Sequence, residues 1–165
     1  MDHRVEGLLN QGSMLSKEDF PPILRAGIHR MTMDTLRETF VSSMPEASRR
    51  LHLFSLLDQW VARLRQLNVT ATLWLDGSFV TRKPEPGDLD CVLWNPSFVG
   101  PVTDEGKLEL LAMTDRAKAL AAFGIDLYVA TPSPNEQVNR EAYWRGMFGF
   151  QHDGRSAKGF VELIV

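Results

Sequence analysis

Thr70-Ala71-Thr72-Leu73-Trp74-Leu75-Asp76-Gly77-Ser78 decides the fold, together with Asp88-Leu89-Asp90-Cys91-Val92-Leu93-Trp94, which follows after nine further residues. Both stretches predict β-strands because apolar and β-branched residues dominate them, and Gly77-Ser78 marks the turn that ends the first. Ile125-Asp126-Leu127-Tyr128-Val129-Ala130 predicts a third strand, in which a single acid again stands inside an apolar run. We therefore expect a sheet whose strands carry carboxylates at comparable positions.

The carboxylates of these strands predict a cation site. Asp88 and Asp90 share one face of their strand, roughly 6–7 Å apart, and would repel each other unless a cation lay between them. Oxygen ligands without a nearby His or Cys favour Mg²⁺ or Mn²⁺. If the strands are neighbours, Asp126 joins them, and three carboxylates can hold two metal ions ~3.5–4 Å apart for in-line phosphoryl transfer. Gly77 and Ser78 would offer backbone amides and a hydroxyl to a phosphate.

The rest of the chain predicts helices around this sheet, and hence a small α/β (α+β) domain with a mixed sheet. Apolar periodicity predicts helices over 32–40, 45–67, 104–123 and 137–147, and a hairpin near the C-terminal end. We expect one domain over 1–165, made of an irregular arm (1–30), a helical part (31–68) and a catalytic sheet region (69–165). The third helix should turn one face inward and end at Gly124; its inward residues would be Leu108, Leu111, Ala117, Leu120 and Ala121.

Composition bounds the class of protein. The chain has 165 residues, of which 44% are hydrophobic and 24% charged, as in soluble globular proteins. The net charge of −3 gives no global basic field that would attract nucleic acid. The single cysteine, Cys91, excludes an intrachain disulfide and a zinc cluster, and its strand position predicts an inert buried thiol. We expect a cytoplasmic protein without a membrane span.

Three features occur together in this chain: Gly77-Ser78, the pair Asp88-x-Asp90 in an apolar strand, and a third strand acid at Asp126. In this combination the chain resembles the DNA polymerase β-type nucleotidyltransferase superfamily. The string from Trp74 to Asp90 is most similar to small single-domain bacterial and phage members, and the resemblance covers about residues 20–165. It implies a nucleotidyltransferase fold and a metal-dependent transfer of a nucleotidyl group.

The resemblance also implies roles for individual residues. Gly77 and Ser78 would hold the triphosphate, Asp88 and Asp90 would hold both metal ions, and Asp126 would bind the second metal and assist the attacking hydroxyl. From the loop after Ser78, Arg82 and Lys83 could reach the phosphates or could remain solvated cations. The nine residues between Ser78 and Asp88, with two prolines among them, allow a helix of at most about one turn after Gly-Ser.

Some residues have two interpretations in the sequence. Asp76 is either a fourth acid of the site or an Asp-Gly turn residue, and turn chemistry favours the second. Tyr143, Trp144 and Arg145 could stack a base, although an aromatic pair on a helix is more often part of a core. The four histidines show no metal-binding spacing, and Gly100–Lys107 lacks the spacing and the Ser or Thr of a phosphate-binding P-loop.

The predicted function is the metal-dependent transfer of NMP from an NTP, such as ATP, to a macromolecular acceptor, either RNA or protein. One alternative is a toxin–antitoxin or phage-defence component that acts mainly by binding a cognate partner protein. Another is a catalytically dead nucleotide-binding protein, against which the presence of all three acids argues. The helices before Asn68 are needed to cover the core, so the sequence leaves no room for an accessory RNA-binding domain. A large RNA acceptor would therefore dock on this domain alone or on a homodimer.

Overall fold

The computed structural model describes residues 18–165, which form a five-stranded mixed sheet with helices on both faces. The strand order is β1-β5-β2-β3-β4, in which β1/β5 and β3/β4 are parallel and the two other pairs are antiparallel. The predicted mixed α/β class is confirmed. The elements in chain order are β1 Gly27–Arg30, α1 Met33–Arg37, α2 Ser48–Gln66, β2 Val69–Asp76, β3 Leu89–Phe98, α3 Asp104–Thr114, α4 Arg116–Phe123, β4 Ile125–Ala130, α5 Gln137–Phe148 and β5 Gly159–Ile164.

The two faces of the sheet carry separate apolar clusters, because successive strand residues point to opposite faces. Leu73, Leu75 and Cys91 face the larger cluster, which α1, α2 and α4 cover. Trp74 and Val92 face the smaller cluster, which α5 covers with Phe148 and Trp144. The same alternation places Asp76, Asp90 and Asp126 on the face of the smaller cluster, so α5 and the acids share one side of the sheet.

The central helix α2 follows its prediction closely. Its apolar stripe is fully buried against the sheet and comprises Leu53, Leu57, Trp60, Val61 and Leu64. The indole N–H of Trp60 donates to the carbonyl of Met113 at 3.2 Å, which joins α2 to α3. The helix begins at Ser48, so Pro45, expected in its first turn, lies before it.

The predicted single helix over 104–123 is wrong in two respects. Asp115 is extended (φ −70°, ψ 124°) and its side chain accepts from the N–H of Lys118, so it ends α3 and caps α4. Leu108 and Leu111 are 68% and 67% exposed, whereas Met113 and Ala119 are buried. Ala117, Leu120 and Ala121 are exposed as well. Because the helix is interrupted at Asp115, α3 and α4 bury residues other than those that one continuous helix would bury. Gly124, at φ +66°, is the predicted left-handed cap.

The predicted C-terminal hairpin is also wrong. Its second half is the single strand β5, which lies between β1 and β2 and pairs with both. Its first half contributes an isolated bridge between Phe150 and Ala157. The strand β1 falls inside the arm that the sequence predicts to be irregular. It has four residues, and its parallel pairing with β5 is non-local and leaves no signal in the short strand itself. The first 17 residues of that arm lie outside the described residues.

Among the helices of residues 18–165, none is long and apolar enough to cross a membrane.

Candidate functional site

Three acids form a row at one end of the neighbouring strands β2, β3 and β4. Asp76 of β2 pairs in register with Asp90 of β3, and Asp90 pairs with Asp126 of β4. We call these three residues the acid row. The predicted adjacency of the three strands is therefore confirmed. Asp88 lies just before β3, half-buried and two residues from Asp90.

Gly77 allows the carboxylate of Asp90 to lie against the backbone of the turn. Its φ is +80°, and a Cβ atom on it would lie 1.7 Å from Oδ2 and 2.8 Å from Cγ of Asp90. A side chain at this position would therefore need both a rarely populated backbone conformation and space that Asp90 occupies. After Gly77 the chain makes only a short 3₁₀ helix, Gly77–Val80, in agreement with the expected limit of one turn.

Buried Arg50 of α2 fixes the loop that follows this turn. Its guanidinium donates to the carbonyls of Phe79 (2.6 Å), Thr81 (2.5 Å) and Lys83 (2.6 Å), as well as to that of Phe40 at 3.2 Å. Five N–H groups in a rigid fork suit such convergent carbonyls, which a lysine could not satisfy together. The sequence carries no signal for this role, because an arginine in an amphipathic helix is usually solvated.

Asp76 is buried and pairs with Lys158. Asp76 is 4% exposed and Lys158 is 7% exposed, and Nζ lies 3.0 Å from Oδ1. Burial raises the pKa of Asp76 to about 6, although the charge of Lys158 and the N–H of Gly77 both act to lower it. Asp76 thus precedes the Gly77 turn, as the sequence predicts, and it also lines the cavity described below, buried and paired with a cation. Lys158 has no signal in the sequence, because it lies in a loop of ordinary polar composition, far from the motifs.

Asp126 pairs with Arg116 at the other end of the row. Nε and Nη2 of Arg116 donate to the two carboxylate oxygens at 2.5 and 2.9 Å, and this hydrogen bonding raises the pKa of Arg116. The guanidinium also lies 4.2 Å from the centroid of the Tyr128 ring. The acid row is therefore flanked by one cation at each end, and both cations are residues that the sequence alone does not indicate.

A cavity of about 500 Å³ opens beside the row. Of the predicted site residues, Gly77, Ser78, Lys83 and Asp90 line it, and Asp76 and Lys158 complete the same wall. The predicted residues Arg82, Asp88 and Asp126 are not in its lining. The structure therefore brings together the turn, one predicted acid and one predicted cation, and it adds Asp76 and Lys158.

The first described residues and the loop before β5 form the opposite wall of this cavity. Nδ1 of His152 lies 2.6 Å from Oδ1 of Asp19, and this hydrogen bond lowers the pKa of Asp19. The backbone N–H of Arg82 donates to the carbonyl of Pro21 at 2.8 Å. Residues before β1 are thus held to both the turn loop and the β5 loop.

The fit of a divalent metal ion depends on the two flanking cations. Within residues 18–165, no group of three or more His, Cys, Asp or Glu side chains is placed to hold a metal ion. The donors present at Asp90 and Asp126 are nevertheless carboxylate oxygens, the ligands that Mg²⁺ prefers. Arg116 supplies at Asp126 the positive charge that an ion would supply there. The chemistry of these donors is therefore that of a Mg²⁺ or Mn²⁺ site, with one of the carboxylates held by Arg116.

The other sequence candidates divide between the core and the surface. Trp144 is half-buried, and it packs against Tyr128 and Phe148 of the smaller cluster with ring centroids 4.9 and 5.4 Å apart, so part of its ring belongs to the core. Tyr143 is exposed on α5. Cys91 is buried, and burial raises its pKa, as expected of an inert thiol.

Comparison with known proteins identifies a family but no characterised relative. No curated protein and no solved structure matches this chain. A family profile matches residues 17–164, which include every strand and helix described above. The chain belongs to the DUF6932 family, which is described as a family of unknown function.

Proposed function

We propose that the chain is a metal-dependent nucleotidyltransferase that moves NMP from an NTP to a macromolecular acceptor. The observation that carries the proposal is the packing of Gly77 beneath the carboxylate of Asp90, in register with Asp126 and at the wall of a cavity that holds two lysines. A glycine turn, paired strand acids and cations around one cavity are the parts that phosphoryl transfer requires. The resemblance to the polymerase β-type superfamily supports the same reaction.

The cavity of about 500 Å³ suits the triphosphate of the nucleotide. Lys83 and Lys158 contribute positive charge to its lining, and Ser78 lies on the same wall. Lys158 is buried against Asp76, so an incoming phosphate would meet a desolvated cation, whose electrostatic interactions are stronger than those of a cation in water. These residues would hold and orient the phosphates.

Asp90 and Asp126 would hold the metal ion, with Asp88 close by at the start of β3. When bound, Mg²⁺ or Mn²⁺ neutralises the charge that develops on the reacting phosphate. In the transfer, an acceptor hydroxyl oxygen bonds to the α-phosphorus and the bond from that phosphorus to the α–β bridging oxygen breaks. Pyrophosphate leaves, and the hydroxyl proton passes to a carboxylate of the acid row.

The direct test is transfer of label. The protein is incubated with each α-³²P-labelled NTP, Mg²⁺ or Mn²⁺, and a cell extract, and labelled macromolecules are resolved by gel electrophoresis with RNase and protease treatment. We expect one NTP to label one class of acceptor in a metal-dependent way. The rate of labelling should fall at least about a hundredfold in D90N and in D126N, because each substitution removes charge that stabilises the transition state.

D58N is the matched control, since Asp58 is exposed on α2, which covers the other face of the sheet. It should label acceptor as the wild type does. Labelling by D90N at the wild-type rate would refute the proposal, and labelling by D126N at that rate would remove Asp126 from the catalytic set. Nucleotide binding without transfer to any acceptor would favour the dead nucleotide-binding alternative, and the partner-binding alternative stays a prediction that co-purification with a cognate protein would support.

A further inference from the structure

A second cavity, of about 310 Å³, lies beside β4, and its lining begins at Tyr128, two residues after Asp126. It is formed between β4 and the helix α5, and we call it the β4 cavity. Tyr128 and Trp144 supply aromatic rings to its lining, and Glu136 and Arg140 supply charged groups. No step of the proposed nucleotide binding uses these residues.

Tyr128, in the lining of this cavity, contacts both a cation and a second aromatic ring. The guanidinium of Arg116 lies 4.2 Å from the centroid of Tyr128, and the Tyr128 centroid lies 4.9 Å from that of Trp144. Arg140 is exposed beside them, one turn before Trp144 on α5. Glu136 accepts from the N–H and the hydroxyl of Ser133, so its carboxylate is engaged by the loop before α5. Aromatic faces next to arginines are the combination that binds the bases and phosphates of single-stranded nucleic acid.

The position of the β4 cavity matches that of an acceptor. Tyr128 lies two residues after Asp126 on the same face of β4, about 7 Å along the strand. Asp90 lines the first cavity, and Tyr128, two residues from Asp126 on the adjacent strand, lines the second. In an in-line transfer the attacking oxygen approaches the phosphorus from one side and the leaving oxygen departs on the opposite side. The nucleotide and the acceptor therefore need separate sites.

We propose that the β4 cavity binds an unpaired nucleobase of the acceptor, and that the acceptor is a single-stranded RNA. This inference rests on the proposed function, because it assigns the second substrate of the same site. Trp144 and Tyr128 provide the aromatic surface, and Arg140, which also lines the cavity, attracts the phosphates that flank the base. RNA recognition of this kind uses bases that are free of a duplex.

The test measures RNA binding without NTP or metal. Fluorescence anisotropy follows a short fluorescein-labelled single-stranded RNA of mixed sequence as protein is added. W144L should weaken binding about tenfold through loss of stacking, W144F should retain most of it, and R140E should weaken it at least severalfold and flatten its salt dependence. R37E is the matched control because Arg37 is an exposed arginine of α1, on the other face of the sheet. R37E should bind RNA as the wild type does.

Each outcome decides one question. Wild-type affinity in both W144L and R140E, or no RNA binding by the wild type, would overturn the inference. Competition by free NMP as strongly as by the RNA would also overturn it, since the cavity would then take a mononucleotide. Labelling of a protease-sensitive acceptor would assign a protein substrate instead. If RNA binds as expected while no NTP binds or is transferred, the proposed function fails and the base site stands.

Discussion

Nζ of Lys158 lies 3.0 Å from Oδ1 of Asp76, and both side chains are buried in the wall of the larger cavity. Because Asp76 also faces Asp90 across the β2/β3 pair, this lysine places a positive charge at that end of the acid row. A buried cation balanced by one carboxylate can exchange that partner for a phosphate oxygen without passing into water. The pair therefore links the stability of the fold to the chemistry of the cavity.

The first prediction concerns the pH dependence of stability. The pKa of Asp76 is about 6 in the folded protein against an ordinary value of 3.8, so the folded state binds the proton more tightly than the unfolded state does. Its contribution to stability is complete below about pH 4 and is lost as the pH rises through about 6. We expect the free energy of unfolding of the wild type, relative to D76N, to fall by up to about 3 kcal/mol between about pH 4 and 7. Urea unfolding at several pH values measures this difference, and a constant difference would contradict it.

A second variant tests the pairing itself. The charge of Lys158 lowers the pKa of Asp76, so K158M should raise that pKa above 6. Carboxyl ¹³C titration by NMR would follow Asp76 directly. If the pKa of Asp76 in K158M equals that of the wild type, the two groups do not interact as the structure indicates.

The second prediction concerns the close approach at Gly77. G77A places a Cβ where Oδ2 of Asp90 lies and holds alanine at φ +80°, so it should destabilise the protein by about 1–3 kcal/mol. The matched control is G146A on α5, where a Cβ would meet nothing within 4 Å and the helix favours alanine. Chemical unfolding compares the two. Equal stability of G77A and G146A would show that Asp90 does not pack on this turn.

The strands β2, β3 and β4 were predictable because each carries its own local signal. Alternation and β-branched residues mark β2, β3 and β4, and Gly77 and Gly124 mark their boundaries. The comparable positions of the carboxylates within these apolar strands then predicted that the strands are neighbours, with the carboxylates at one edge of the sheet. The wrong predictions concern elements whose structure depends on residues far away in the sequence or on a cap with no distinctive sequence. The strand β1 forms only because β5 lies next to it, and α3 separates from α4 at an Asp115 cap that looks like an ordinary surface acid.

The acids of the site could be found from sequence, but their counter-ions could not. Asp90 and Asp126 stand out because an acid in an apolar strand is unusual. Lys158 and Arg116 are ordinary cations in a loop and at a helix start, and only the fold shows that each meets a carboxylate. The ion pair of buried Asp76 has no signal in the sequence for the same reason, since its partner Lys158 lies in the loop before β5, far away along the chain.

The third prediction concerns the arginine that holds the turn loop. R50K should destabilise the protein by about 2–4 kcal/mol, because one ammonium group cannot replace the planar guanidinium that donates to the carbonyls of Phe79, Thr81 and Lys83 together. R37K, at an exposed site on α1, should leave stability within about 0.5 kcal/mol of the wild type. Thermal and urea unfolding measure both. If R50K is as stable as the wild type, the loop keeps its conformation without the guanidinium of Arg50.

The fourth prediction separates a structural pair from a metal site at Asp126. Arg116 binds both oxygens of this carboxylate, so a divalent ion can bind there only in competition with the guanidinium. R116Q removes the competing charge, and we expect it to bind Mn²⁺ several times more tightly than the wild type in the absence of nucleotide. Calorimetry or the paramagnetic relaxation of water protons measures that affinity.

The double variant R116Q/D126N provides the control, because it lacks both the guanidinium and the carboxylate. It should lose the affinity that R116Q gains, whereas R116Q/D58N should keep it, since Asp58 lies on α2 away from the acid row. If R116Q binds Mn²⁺ no better than the wild type, the carboxylate of Asp126 serves only to hold Arg116 against Tyr128. The metal would then have to be assigned to Asp88 and Asp90, and Asp126 would leave the catalytic set.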